Sequence, residues 1–331
     1  MVDENFMQKA LDEAWKYQGL TYPNPPVGAV IVDDKQNLIS IGVHKRAGLA
    51  HAELDAVKNA LTFCGYKLLS KDPSSLHEEI RKKHKNFFKN HSIYITLEPC
   101  NHYGKTPPCS LLLKDMGFKK VFISTRDINK DASGGIEFLK DFTDVKVGVL
   151  EEEGRQLLTL FSIWLKKKPF VFFKVAVSKN GIYSGGIISS KKSRELVHRL
   201  REVCDLLVIG GETVRVDRPT LDTRLASGKN PPDVLIVSKR DDFDKTIPLF
   251  GVEGRKVFIS DSLEKLKEYS FVMVEGGENF YRFVKEHLDA VMIFQSKNIL
   301  NGKSFEFAKE FKRLNKFNYF DDTIEWKIKE C

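Results

Sequence analysis

The sequence lacks the features that mark several large classes of protein. Its 331 residues contain no apolar run near the ~20 residues that a membrane-spanning helix needs. The N-terminal stretch is acidic and amphipathic, unlike a secretory signal peptide, so we expect a cytoplasmic protein. Only five residues are cysteine. That is too few for a disulfide scaffold, and each thiol can be a buried apolar residue, a metal ligand or a nucleophile.

Internal repeats, low-complexity tracts and the fingerprint G-x-G-x-x-G are also missing, which argues against a Rossmann dinucleotide site. Charged residues make up 30% and hydrophobic residues 42%, as in ordinary globular proteins. The formal net charge of +8 leaves a nucleic-acid-binding module as a non-enzymatic alternative. Because no aromatic-interleaved basic motif of an RNA-recognition kind is present, we favour an enzyme whose substrates and cofactor are phosphates.

Helix-like and strand-like segments alternate in both halves of the chain, which predicts α/β layers in each half. The length suits about two domains, and we predict them at residues 1–148 and 149–331. A helix over Glu151–Lys167 is predicted at the start of the second domain. The segment Lys71–Asn90 is rich in lysine and histidine without an apolar stripe, which predicts an inserted surface helix and loop without chemistry.

The sharpest chemical signal is His51-Ala52-Glu53, followed by Pro99-Cys100 and by Cys109 after two prolines. One imidazole and two thiolates are three zinc ligands that leave a fourth position open for water, as in catalytic zinc sites. Glu53 lies two residues beyond His51, where it can take a proton from zinc-bound water and pass it to a departing amine. Each motif alone is more typical of a helix-capping histidine or of buried cysteines. Together they predict a zinc site.

Eight residues separate Cys100 from Cys109, whereas the nucleobase-deaminase signature P-C-x-x-C has two. This spacing argues against a nucleic-acid deaminase. The stretches 23–28, 44–53 and 96–109 instead resemble the deaminase half of the bifunctional riboflavin-biosynthesis deaminase/reductase family, over most of residues 1–150. The resemblance implies a cytidine-deaminase-like fold with zinc on His51, Cys100 and Cys109 and with Glu53 as the catalytic residue. It also implies substrate contacts from Asn24, His44 and Lys105.

The second half carries Gly210-Gly211 and Gly276-Gly277 after apolar strands, a pattern that suits a phosphate or, equally, tight strand-to-helix packing. Residues 169–300 resemble the reductase half of the same family, which implies a dihydrofolate-reductase-like fold. By this resemblance, NADPH is held by Ala176, Thr213, Asp217, Ser238, Gly276 and Gly277. The ribose-phosphate substrate is held by Arg201, Leu221, Arg224 and Glu275.

Three departures from the family lie in this half: Asn180 replaces an aspartate, Ile187 replaces a tryptophan, and the segment between them is short. They predict weaker NADPH binding, and they leave a deaminase whose second domain no longer reduces as the alternative. Otherwise we expect zinc-dependent deamination of a diaminopyrimidine ribosyl phosphate, followed by reduction of its ribosyl chain. We expect a homo-oligomer, dimer or tetramer, that has no nucleic-acid or membrane partner.

Overall fold

The computed structural model describes residues 2–104, 106–166 and 169–330. The chain divides between Leu165 and Lys166 into two compact units, here called unit 1 and unit 2. Both consist of a mixed β-sheet with helices, so the predicted α/β class is confirmed. None of the helices among the described residues combines the length and the apolar character needed to cross a membrane.

Unit 1 has a five-stranded sheet in the order β2-β1-β3-β4-β5, in which β1 is antiparallel to both neighbours and β3, β4 and β5 are parallel. Its elements in chain order are α1 (Val2–Trp15), β1 (Gly28–Val32), β2 (Leu38–Val43), α2 (Ala52–Phe63), α3 (Pro73–Lys83), β3 (Ser92–Leu97), α4 (Cys109–Met116), β4 (Lys120–Thr125), α5 (Gly135–Lys140), β5 (Asp144–Val147), α6 (Glu151–Leu157) and α7 (Thr159–Trp164).

Helices cover both faces of this sheet, which explains why its inner strands are continuous apolar runs. Residues of α2, α3, α4 and α5 share one core cluster with Ile31, Ile95 and Ile123. Helix α1 packs on the opposite face, where the Phe6 ring lies 5.3 Å from the Tyr94 ring. The loops that follow the parallel strands β3 and β4 therefore begin at the same edge of the sheet. The loop after β3 carries Cys100.

The segment Lys71–Asn90 contains the predicted helix, α3, which begins with Pro73 after the N-cap Asp72. The expectation that it has no apolar stripe is wrong. Leu76 and Ile80 lie one helical turn apart, and both are buried in the unit 1 core. The segment is thus packed into unit 1 along one face.

The predicted helix over Glu151–Lys167 is two helices, α6 and α7, separated at Leu158. They belong to unit 1, whereas our predicted boundary at 148/149 assigned them to the second domain. The reason is tight packing: a Cβ on Gly154 would lie 2.4 Å from Ser124 Oγ, and Gln18 Nε2 donates to Leu157 O at 3.1 Å.

Unit 2 has an eight-stranded sheet in the order β12-β13-β11-β6-β10-β7-β8-β9. The elements are β6 (Phe170–Val177), α8 (Lys191–Arg201), β7 (Leu206–Gly210), α9 (Gly211–Asp217), β8 (Asp233–Val237), β9 (Val257–Ser260), β10 (Phe271–Glu275), α10 (Glu278–Val284), β11 (Ala290–Gln295), β12 (Phe311–Tyr319) and β13 (Asp322–Lys329), with short 3₁₀ turns at Pro248–Gly251, Glu264–Glu268 and Lys285–His287. Strands β6 to β11 are parallel, β13 is antiparallel to its neighbour β11, and β12 is antiparallel to β13. The carboxyl ends of the parallel strands meet at one edge, where α/β proteins bind ligands.

Candidate active sites

Three potential metal ligands converge in unit 1. His51 is the N-cap of α2, Cys100 follows β3, and Cys109 is the first residue of α4. His51 Nδ1 lies 3.7 Å from Cys100 Sγ and 3.4 Å from Cys109 Sγ, and all three ligand atoms lie within 4.8 Å of one another. Tetrahedral zinc with its usual bond lengths separates nitrogen and sulfur ligands by about 3.5 Å. The cluster therefore fits a zinc ion.

The two thiols influence each other strongly. Hydrogen bonding from Cys109 and from His51 lowers the pKa of the Cys100 thiol to about 4 in spite of its burial. The hydrogen bond to Cys100, together with burial, raises the pKa of the Cys109 thiol. A dication bound here would favour both thiolates, since it balances the charge that the second thiolate adds.

Glu53 lies in the first turn of α2 beside this cluster and is only 4% exposed. Burial, together with the negative charge of Cys100, raises the pKa of its carboxyl group to about 7. A carboxyl group with such a pKa can both accept and release a proton near neutral pH. The structure thus brings Glu53 to the cluster, in the position of a proton shuttle.

A cavity of about 430 Å³ opens onto the cluster, within the size range of small-molecule sites. The predicted substrate residues Asn24 and His44 both line it, and Asn24 Nδ2 lies 3.1 Å from His44 Nε2. His44 Nδ1 bonds to Ala50 O at 3.0 Å, and burial lowers the pKa of the imidazole to about 4. His44 is therefore neutral, with Nδ1 donating to the carbonyl and Nε2 accepting from the amide. The third predicted contact, Lys105, lies outside the described residues.

Sequence reasoning gave no role to three polar residues that line the same cavity, Glu98, Asp127 and Asn129. The buried Glu98 carboxylate accepts backbone N–H groups of Asp127 at 3.2 Å, Gly134 at 2.9 Å and Ile136 at 3.2 Å, which ties down the loop after β4. Burial, with the nearby Glu98 charge, raises the pKa of Asp127 to about 6. In the sequence, the one sign that Glu98 belongs to the site is its position two residues before Cys100.

In unit 2, the structure joins two predicted substrate residues, Arg201 at the end of α8 and Glu275 at the end of β10. Arg201 Nε and Nη2 donate to Glu275 Oε1 at 3.1 and 2.8 Å, and Nη2 also reaches Oε2 at 3.1 Å. The partly buried Lys174 ammonium lies 3.9 Å from the same carboxylate. Burial alone would raise the pKa of Glu275, but the two cations hold it below its usual value.

The other two predicted substrate residues, Leu221 and Arg224, lie on the loop after α9. Arg224 is 61% exposed and pairs with Asp222 at 2.8 Å, while the Asp222 carbonyl accepts from Arg201 Nη1 at 3.3 Å. Arg255, which sequence reasoning missed, holds this loop by donating to the carbonyls of Thr220 at 2.9 Å and Leu221. The loop therefore lies against the Arg201–Glu275 pair.

The predicted cofactor residues are spread over four elements. Ala176 is in β6, Thr213 and Asp217 are in α9, Ser238 follows β8, and Gly276 and Gly277 connect β10 to α10. Ser238, Lys239 and Arg240 line one surface cavity, and Arg215 Nη2 lies 3.3 Å from Ser238 Oγ. A Cβ on Gly211 would lie 2.7 Å from Ser238 Cβ, so the α9 backbone can approach Ser238 only with glycine there.

Asn180 has a structural explanation in its loop. Its Oδ1 accepts from Ser178 Oγ at 2.7 Å and from Leu300 N–H at 3.1 Å, and its Nδ2 donates to Leu300 O at 2.8 Å. An aspartate cannot make the last bond, because an ionised carboxylate has no donor. Ile187 is 73% exposed, so it does not pack into the unit 2 core.

Two family models match the chain. One describes the cytidine and deoxycytidylate deaminase zinc-binding region and matches residues 1–125, and the other describes the RibD C-terminal domain and matches residues 169–294. The fold and the sites thus define a zinc-binding deaminase joined to a second enzymatic domain.

The riboflavin biosynthesis protein RibD of Aquifex aeolicus is 31% identical over 90% of this chain and 88% of its own length. That of Mycobacterium tuberculosis strain H37Rv is 32% identical over 82% of this chain and 77% of its own. A Thermotoga maritima diaminohydroxyphosphoribosylaminopyrimidine deaminase/5-amino-6-(5-phosphoribosylamino)uracil reductase superposes with a TM-score of 0.65 at 30% identity, covering 99% of both chains. Acinetobacter baumannii RibD, form 1, superposes with a TM-score of 0.61 at 25% identity, covering 100% of this chain and 99% of its own.

The chain belongs to the RibD family of riboflavin biosynthesis proteins. It is a bifunctional deaminase and reductase, and the predicted family, enzyme class and zinc dependence are confirmed. Nothing supports the alternative of a second domain that no longer reduces.

Proposed function

We propose that unit 1 deaminates 2,5-diamino-6-ribosylamino-4(3H)-pyrimidinone 5′-phosphate, and that unit 2 then reduces the ribosyl chain with NADPH to give 5-amino-6-ribitylamino-uracil 5′-phosphate. The observation that carries the proposal is the cluster of His51, Cys100 and Cys109 beside Glu53 at the floor of a cavity. The Thermotoga relative, a diaminohydroxyphosphoribosylaminopyrimidine deaminase and 5-amino-6-(5-phosphoribosylamino)uracil reductase, supports the choice of substrate.

In the deamination, His51, Cys100 and Cys109 would hold the zinc ion, which supplies a hydroxide nucleophile at neutral pH when bound. Glu53 takes the water proton and delivers it to the departing amine, a transfer that its pKa of about 7 suits. Asn24 and His44 orient the pyrimidine, since they line the same cavity and fix each other's orientation. Lys105 is proposed for the substrate phosphate from its place in the sequence.

In the reduction, Arg201, Leu221, Arg224 and Glu275 would bind the ribosyl phosphate. Both arginines pair with a carboxylate, but Arg201 is only 10% exposed whereas Arg224 is 61% exposed, so Arg224 is the better placed cation for the phosphate. NADPH would lie along the carboxyl edge of the sheet against Ala176, Thr213, Asp217, Ser238, Gly276 and Gly277, as expected for a parallel sheet.

The decisive experiment is turnover of the diaminopyrimidine phosphate by the full chain, with and without NADPH. Without NADPH we expect release of ammonia and accumulation of the deaminated ribosyl compound. With NADPH we expect the ribityl product and an equal amount of oxidised cofactor. Ammonia release with no NADPH oxidation would support the deaminase activity and reject the reductase activity. No ammonia release would reject the deamination of this substrate.

We also propose a cytoplasmic homo-oligomer, dimer or tetramer, without a nucleic-acid partner. The positive net charge of +8 is the feature of the sequence that favours nucleic-acid binding instead. Analytical ultracentrifugation tests the oligomer, and retention on DNA or RNA with a steep salt dependence would argue for nucleic-acid binding.

A further inference from the structure

The inserted helix α3 and the loop after it are tied to the far end of α4, the helix that begins with Cys109. Arg81 Nε lies 2.6 Å from Asp115 Oδ2. The backbone N–H groups of Asn86 and Phe88 donate to the carbonyls of Asp115 at 2.8 Å and Met116 at 3.0 Å. The segment therefore packs along α4 and supports it, although we predicted no chemistry for it from its residues.

At the near end of α4 the contact is a histidine. His77 is only 1% exposed, and its Nε2 lies 3.1 Å from the carbonyl oxygen of Pro108. Because a carbonyl can only accept, Nε2 must carry the proton in this bond. In the part of the chain that the structure describes, Nδ1 is buried without a hydrogen-bond partner, so the bond to Pro108 is the polar contact that fixes the ring.

Pro108 precedes Cys109 directly, so its carbonyl belongs to the same peptide group as the Cys109 N–H. That N–H donates to Cys100 Sγ at 3.4 Å. A peptide group is planar, and its C=O and N–H point in opposite directions. A donor on the carbonyl therefore fixes the direction in which the N–H points. The Leu112 N–H of α4 also donates to this carbonyl, at a longer 3.4 Å. His77, with the shorter bond on the carbonyl side, and Cys100 on the other side hold this peptide group in one orientation.

We propose that His77 is a positioning residue of the zinc site: by its bond to the Pro108 carbonyl it aims the Cys109 N–H at the Cys100 sulfur and holds Cys109 at the start of α4. The inference rests on the proposed function in one respect, namely that zinc occupies His51, Cys100 and Cys109. Groups that orient metal ligands from outside the coordination shell change affinity by about 10–100-fold when removed. His77 bonds to the peptide group before Cys109 and not to a ligand side chain, so we expect its removal to weaken zinc binding by about tenfold, the lower end of this range.

The test compares full-length His77→Leu, His77→Gln and His77→Asn with Arg81→Leu as the matched control on the same helix. The readouts are the zinc dissociation constant by chelator competition and the thiolate-to-metal absorption of the Co²⁺ form. We expect His77→Leu and His77→Asn to bind zinc about tenfold more weakly, with a shifted Co²⁺ band. His77→Gln should recover, because its Nε2 reaches the position of the imidazole Nε2, whereas the asparagine amide is too short.

Arg81→Leu should lower the unfolding temperature of unit 1 and leave zinc affinity unchanged, because its contact lies at the far end of α4. Equal loss of affinity in Arg81→Leu and His77→Leu would overturn the inference in favour of general destabilisation. Wild-type affinity in His77→Leu would overturn it as well. If His77→Leu does not fold, the glutamine–asparagine comparison still decides, since equal affinities would refute the proposal.

Failure of the proposed zinc site has a different signature. It would appear as wild-type protein that binds no zinc, or as Cys100→Ser protein that keeps it. The reductase rate of each variant serves as the check that the rest of the chain is intact, because unit 2 contains none of the substituted residues.

Discussion

Removal of Arg201 should destabilise unit 2 severely, since it leaves a buried carboxylate without its main partner. Arg201 and Glu275 are 10% and 14% exposed, and three N···O distances of 2.8–3.1 Å join them. In Arg201→Leu, Lys174 remains near the carboxylate, at 3.9 Å. Breaking a buried pair in this way costs about 3–5 kcal/mol. For a urea m-value of about 2 kcal/mol/M, the unfolding midpoint should fall by about 2 M.

The assay can follow unit 2 alone. The chain has three tryptophans, and Trp326 is the one in unit 2, fully buried. Its fluorescence in a Trp15→Phe/Trp164→Phe background reports urea unfolding of that unit. The matched control is Arg282→Leu, which breaks the ion pair between Arg282 and Glu278. The Arg282 side chain is 55% exposed. Such a surface pair contributes less than about 1 kcal/mol.

The effect should depend on pH with a definite sign. In the wild type, Arg201 and Lys174 keep the pKa of Glu275 below its usual value of ~4.3, against the effect of burial. The pair's contribution to stability is therefore present above pH ~4.3 and is lost as the pH falls through the folded-state pKa. In Arg201→Leu, burial raises the pKa of Glu275, so protonation restores stability as the pH falls. A loss under 1 kcal/mol at pH 7, or a difference that does not shrink toward pH 4, would refute this reasoning.

Three further outcomes are expected. Cys100→Ser should lose zinc in metal analysis of the purified protein, and an undiminished zinc content would reject this residue as a ligand. Glu53→Gln should keep its zinc but deaminate about 10²–10⁴-fold more slowly, because an amide cannot shuttle protons; near-wild-type ammonia release would show that another group moves the proton. NADPH should bind at least about tenfold more tightly than NADH, because the 2′-phosphate can meet Ser238, Lys239 and Arg240, and a charge-assisted contact contributes ~1.5–3 kcal/mol. Fluorescence titration measures both affinities, and equal values would remove this specificity.

Sequence patterns predicted the buried strands best. The observed strands Leu38–Val43, Ser92–Leu97, Phe170–Val177 and Phe271–Glu275 are among the strand-like segments whose alternation with helices predicted the α/β class. Such strands are apolar on both faces or end at clear turn residues, so local sequence suffices. The hairpin Phe311–Lys329 was not predicted. It alternates between one buried and one solvated face, and the burial of Trp326 depends on pairing with a distant strand, β11.

The candidate site shows the same division between local and distant information. The short motifs around the metal cluster have residue types that indicate zinc binding and proton transfer directly; they contain His51, Glu53, Cys100 and Cys109. The contacts described above for His77, Glu98 and Arg255 link residues 29 to 38 positions apart, such as Glu98 with Asp127 and with Ile136. No motif marks His77 or Arg255, because their partners are backbone groups of other segments, and the sequence marks Glu98 only by its position two residues before Cys100. The contacts themselves are seen only in the folded chain.

The strand order of unit 2 has a consequence for how the chain is made. Strand β6, with the sequence FVFFKVAV, is flanked in the sheet by β10 and β11, which begin at Phe271 and Ala290. At ~5–20 residues per second, a ribosome needs roughly 5–20 s to add the hundred residues in between. For that time an aromatic, β-prone segment has no partner of its own, while every strand of the unit 1 sheet has been synthesised by Val147. We therefore expect nascent β6 to need protection by chaperones during rapid expression.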